Sequence, residues 1–161
     1  VRALTAARLS VALLLAVLAP PAHAWNEPPD FQGIPWGASM QEARQTALSL
    51  VCVAAGRCRT FFDLAAVRVY AFLSFREGRF DQVDLTFAAL DFDRLKAAFV
   101  ERYGEPTARQ LVPLGGGQAL ENEILEWTGR RVHIALRRYG RGLDLGTGVI
   151  RAGGSPAGDG R

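Results

Sequence analysis

Few side chains in this chain are of a type that does covalent chemistry, and their spacing excludes most reactions. The 161 residues hold two histidines, His23 and His133. A histidine-based zinc site draws on several ligands, and one imidazole in the body of the chain does not make one. The serines at 10, 39, 49, 74 and 155 sit in no Gly-x-Ser-x-Gly context. A Ser-His-Asp triad would have to join Ser49 or Ser74 to His133 across the fold. Gly140-Arg141-Gly142 and Gly146-Thr147-Gly148 do not open a helix, so they read as turn and strand glycines rather than a phosphate cradle. The remaining enzymatic option is a pair of facing carboxylates, as a glycosidase uses, drawn from Glu121, Glu123 and Glu126. A solvated acidic strand explains these three equally simply. No cofactor site is expected.

Cys52 and Cys58 are the only cysteines. An even count suits a disulfide in an oxidising compartment, and Gly56 supplies a turn between them. Two free thiols or a redox pair are the alternatives. Redox motifs place two residues between the cysteines, whereas five lie here.

The compartment is read from residues 1–24. Arg2 and Arg8 precede Leu9–Ala19, which carries no charge; Pro20-Pro21 breaks the run, and Ala22-His23-Ala24 is a small-x-small site before Trp25. This is the pattern of a cleaved export signal, and the run is shorter than the roughly 20 residues that span a bilayer. Cleavage at Ala24-Trp25 and a periplasmic or secreted product are expected. Of nineteen basic residues two lie in the leader, leaving seventeen against sixteen acidic ones. A net charge of +1 gives no footing for nucleic-acid binding.

Charge is distributed unevenly. Residues 91–129 sum to −3, and residues 130–161 hold seven arginines against Asp144 and Asp159. Arg131, His133 and Arg137 fall on the outer face of one expected strand, with Arg138 and Arg141 near the following turn. That face is a candidate anion or partner site, suited to acidic lipid headgroups or an acidic protein. Cross-strand neutralisation is the alternative, with Glu126 opposite His133.

These residues require elements to hold them. Residues 25–38 read as an extended lead-in, and residues 39–151 as one α+β domain of two helices packed on an antiparallel sheet. The first helix starts at the capping box Ser39-x-x-Glu42, continues through Met40, Ala43, Ala47, Leu50, Val51 and Ala54, and stops at Gly56. Strands follow at Val67–Phe75 and around Val83, Leu85 and Phe87, joined by a three-residue turn Arg76-Glu77-Gly78 that keeps both apolar sets on one face. Tyr70, Phe72 and Phe80 fall on the other face. The second helix runs from Asp91 to Tyr103, with Asp91 or Asp93 as its cap, the stripe Phe92, Leu95, Phe99, Tyr103, and Gly104 as its end. Leu125 and Trp127 should pair with Val132, Ile134 and Leu136 across a type II′ Gly129-Arg130 turn. A last strand should present Leu143, Leu145, Thr147 and Val149. Residues 107–122 give no clear pattern beyond a flexible loop at Gly115–Gly117, and 152–161 read as a disordered tail. The order suggests two helix-plus-antiparallel-strand units.

The segment Phe31-Gln32-Gly33-Ile34-Pro35-Trp36-Gly37, a capped helix, and Tyr103-Gly104-Glu105-Pro106 together resemble a pattern of uncharacterised exported bacterial proteins. The layout is similar to secreted β-lactamase-inhibitor proteins and to small outer-membrane-assembly lipoproteins. The resemblance implies a non-catalytic module that binds another protein of the cell envelope. The chain departs from the lipoproteins in having no Cys after the apolar run to carry an anchor.

Overall fold

A computed structural model describes residues 25–54, 56–115, 120–140 and 142–153. Residues 1–24, expected to be an export signal, residues 116–119, expected to be part of a flexible loop, Ala55, Arg141, and residues 154–161, expected to be a disordered tail, lie outside the described residues. Ala152, expected to begin that tail, instead ends the last strand, opposite Val132.

The chain opens with a short hairpin, β1 (Asp30–Phe31) and β2 (Ile34–Pro35), then one helical turn, α1 (Met40–Ala43). Four strands follow: β3 (Val51–Ala54), β4 (Arg57–Leu64), β5 (Val67–Arg76) and β6 (Arg79–Ala88). A 3₁₀ turn over Ala89–Asp91 leads into α2 (Phe92–Tyr103). Four more strands complete the fold: β7 (Ala108–Pro113), β8 (Glu121–Thr128), β9 (Val132–Arg137) and β10 (Leu145–Ala152).

All eight strands after α1 form one antiparallel sheet in the order β3-β4-β5-β6-β10-β9-β8-β7. The order is palindromic. Each half is a helical segment followed by a four-stranded meander, and the halves join through their last strands, β6 and β10. The α+β layout therefore stands, with one substantial helix rather than two.

The expected first helix is a correction. Ser39 and Glu42 do form the capping box, but the helix ends after one turn. Gln45 and Thr46 already bond three residues back, to the Glu42 and Ala43 carbonyls. Half of its stripe is alanine, which buries too little area to carry an isolated helix. The chain gains more by laying Val51–Ala54 against β4, where Cys52 and Cys58 are direct cross-strand partners and are joined as a disulfide. Gly56, with φ 76°, serves that turn rather than a helix end.

Strand phase is set by what the helical side covers. Val67, Val69, Ala71, Leu73 and Phe75 on β5 and Val83, Leu85 and Phe87 on β6 are buried, as their alternation predicts. The hairpin between them uses the two-residue turn Glu77-Gly78, both with positive φ (52° and 76°), instead of the three residues expected. The extra residue is a bulge. Phe75 faces Phe80 while Ser74 faces Gln82, leaving Asp81 unpaired. The bulge restores the parity that the short turn would break and swings Phe80 into the core, correcting its expected outer position.

The β8–β9 register is displaced by two residues from expectation. Trp127 faces Ile134 and Thr128 faces His133, so Glu126 lies opposite Ala135 and not His133. The turn is Arg130-Arg131, closed by the Gly129 amide donating to the Val132 carbonyl at 2.9 Å, and Gly129 is not among the left-handed residues. An even shift leaves the inward set unchanged.

β10 is out of phase with expectation. Its core-facing residues are Gly146, Gly148 and Ile150; Leu145, Thr147 and Val149 face outward. The glycines make room at the seam. A Cβ on Gly146 would stand 2.3 Å from the Phe87 ring, and one on Gly148 would stand 3.3 Å from Leu85 and Leu136.

The core lies on one face of the sheet. α2 buries Phe92, Leu95, Phe99 and Tyr103 there, each side chain contributing about 2 kcal/mol by area. Asp91 holds the N-cap position without a side-chain cap bond, pairing with Arg94 instead. Phe99 meets Trp127 at 5.9 Å, and the buried Trp127 indole N–H donates to the Gly104 carbonyl at 2.8 Å. Over the first half, Trp36 stacks on Phe80 at 4.9 Å and Phe31 meets Phe62 edge-on.

Candidate functional site

α2 packs on that same face, whereas the β9–β10 turn comes over the opposite one at Thr147, where a Cβ on Gly140 would stand 2.3 Å from the threonine side chain. That turn apart, no described helix covers the opposite face. The registers specify what it presents. One row runs Phe61, Tyr70, Thr86, Thr147, Arg137, Ile124, Gln110 from β4 to β7. The next runs Arg59, Phe72, Asp84, Val149, Ala135, Glu126, Ala108.

At the β4–β5 end the large residues touch. Phe61 and Tyr70 have ring centroids 4.7 Å apart, and Tyr70 and Phe72 4.8 Å. The Arg57 guanidinium lies over Phe72 at 5.1 Å. Phe61 is 61% exposed. Tyr70 and Phe72 are half-buried, so the fold leaves the Phe61 ring and the edges of its neighbours in water. β4 was not read as a strand from the sequence, so Phe61 was missed. The signal was present: Cys58, Thr60, Phe62 and Leu64 alternate with Arg57, Arg59, Phe61 and Asp63.

The four arginines proposed from sequence do not converge. Arg137 projects on the open face and is exposed. Arg131 sits in the β8–β9 turn, about 20 Å of strand away. Arg138 turns to the opposite, helical side, donating to Asp93 through both terminal guanidinium nitrogens at 2.6 and 3.0 Å and lying over the Phe92 ring at 4.5 Å. Arg141 lies outside the described residues. Among the described residues, Arg59 and Arg137 pair with no carboxylate.

The sequence also missed a buried ionic cluster on the helical side. Glu123 is 5% exposed and receives Lys96 at 2.6 Å, Arg109 at 2.9 Å and Arg138 at 3.4 Å. Burial alone would raise its pKa. The Lys96 hydrogen bond and charge, with Arg109 and Arg138 behind them, outweigh burial and hold the carboxyl below its ordinary value. The Arg138 hydrogen bonds do the same for Asp93. A carboxylate kept ionised in this way is a poor proton donor, and Glu126 projects from the other face of the strand, so the pair does not face as glycosidase carboxylates do. Ser74 and His133 share a row of the open face, with Gln82 and Arg151 between them. Three strand spacings, about 14 Å, separate nucleophile from base. Among the described residues no group of three or more His, Cys, Asp or Glu could hold a metal ion, and no helix is long and apolar enough to cross a membrane.

Compared with protein-family models, curated proteins and solved structures, the chain matches none.

Proposed function

We propose that the chain is an exported, non-catalytic protein of the cell envelope that binds another protein through the open face of its sheet. The observation that carries this reading is the Phe61–Tyr70–Phe72 cluster, with Phe61 exposed and Tyr70 and Phe72 half-buried, on a face that no described helix covers. Contiguous exposed aromatic surface marks contact sites, and aromatic and arginine side chains dominate the energetics of such contacts. The residues 1–24 support export, and the cystine supports an oxidising compartment.

Photo-crosslinking tests it. A benzoylphenylalanine replacing Phe61 or Phe72 in the exported protein should form a discrete adduct with one envelope protein. The same group at Leu90, 85% exposed beside α2, should not. Equal labelling from all three positions would overturn the reading.

A further inference from the structure

We propose that the partner segment received by the open face is acidic, a stretch of protein carrying carboxylates on either side of an apolar side chain; this rests on the protein-binding reading above.

The inference comes from residue sizes and charges along the two central rows. Between the aromatic cluster on β4–β5 and Arg137 and Ile124 on β9 and β8 lie Thr86, Asp84, Thr147, Val149 and Ala135, with Gly140 of the β9–β10 turn against Thr147. These side chains are short. They form a floor between two taller walls, because Tyr70 and Arg137 are separated by three strand spacings, about 14 Å. That width fits one helix of about 10–12 Å or one extended segment, and not a second sheet.

The face as a whole is net basic. Arg57 and Arg59 stand beside the aromatic cluster and Arg137 on the other side, while Arg68 is neutralised by Asp63 at 2.6 Å. Three arginines without carboxylate partners among the described residues therefore flank a floor of short side chains and outnumber the carboxylates Asp84 and Glu126 on this face. Guanidinium groups paired bidentately to carboxylates are the strong form of this contact. The face also carries Asp84, accepting from Gln82 at 2.8 Å, and Glu126. A continuous anionic plane such as a lipid surface would press against both carboxylates. A segment with discrete acidic side chains can place charge over the arginines and away from Asp84 and Glu126, which favours protein over membrane.

The test is selection of a displayed random-peptide library on the folded, oxidised protein, with the enriched peptides resynthesised for titration. Enriched sequences should hold Asp or Glu flanking an aliphatic or aromatic residue. Arg59→Glu and Arg137→Glu should each weaken binding at least ten-fold, and Tyr70→Ala roughly thirty-fold, the scale of an interface hot spot. Circular dichroism of each variant checks that the fold is kept. Enriched peptides without acidic bias, lost with Tyr70→Ala but indifferent to both charge reversals, would overturn the acidic partner and leave the protein-binding reading standing. Binding to vesicles of anionic phosphatidylglycerol in place of any peptide would overturn the inference and the reading together. So would the absence of any peptide sensitive to Tyr70→Ala.

Discussion

Glu123 shows how a buried carboxylate becomes tolerable. One anion is shared by Lys96 of α2, Arg109 of β7 and Arg138 just past β9, and Asp93 takes up the remaining capacity of Arg138. Removing the anion leaves three cations facing one another. Arg109 is more than half exposed, so water screens part of the repulsion. Glu123→Gln is expected to cost about 2 kcal/mol at neutral pH, below the upper range for a fully buried pair. The pH dependence has a fixed sign. The folded-state pKa is depressed, so the stabilisation is complete above the unfolded value of about 4.3 and is lost as pH falls through the folded value. Urea titrations of wild type and Glu123→Gln should differ by a constant amount from pH 8 to pH 6 and converge in acid. A gap that widened in acid would contradict the assignment. Lys96 is the only lysine of the chain, so its acetylation gives an independent perturbation of the same cluster.

The elements carry two further expectations. At the seam, Gly146→Ala forces a methyl against Phe87 and should cost about 1–3 kcal/mol, the usual scale of overpacking. Gly148→Ala meets only tight contacts at 3.3 Å and should stay within about 1 kcal/mol. Combining Gly146→Ala with Phe87→Leu should recover part of the loss, measured by thermal denaturation. At the sheet edge, β3 gains little from burial, since Val51 and Val53 are each more than half exposed. Reducing Cys52–Cys58 should cost about 2 kcal/mol on the chain-entropy model for so short a loop, and hydrogen exchange should rise first in residues 51–54. The same elements mark what the sequence could disclose. Alternation in β5, β6, β8 and β9 named the buried faces correctly, because side-chain parity survives an even shift of register. The capping box was visible, but a box defines only where a helix begins; its length was decided by the cross-strand cystine. β10 reversed phase because the larger residues were assigned to the core, whereas the seam needed glycine there. The Glu123 cluster was hidden because its members lie far apart in sequence.

At the scale of the molecule, the two meanders meet at β6 and β10, and a second tie crosses between the halves. Trp36, stacked on Phe80 of the first half, donates its indole N–H to the Pro28 carbonyl at 2.9 Å. From there the chain runs onto the second half. The Asn26 amide donates to the Tyr103 carbonyl at 2.6 Å, and the Glu27 carboxylate accepts from the backbone amides of Arg131 and Val132. Gly129 permits this approach, since a Cβ there would fall 2.4 Å from the Trp25 ring and 2.7 Å from Glu27. Residues 25–29 are therefore a strap rather than a loose leader. Glu27→Ala leaves two amides without their ionised acceptor and should cost about 1.5–3 kcal/mol, the range for hydrogen bonds to charged groups. Gly129→Ala should cost a similar amount by expelling the same segment. If both act by releasing one strap, the double variant should be little worse than either single one, because the second change removes contacts already lost. Chemical denaturation of the four proteins gives the coupling energy directly. Full additivity would mean that Glu27 and Gly129 stabilise the second half independently, and that residues 25–29 do not bind the two halves as a unit.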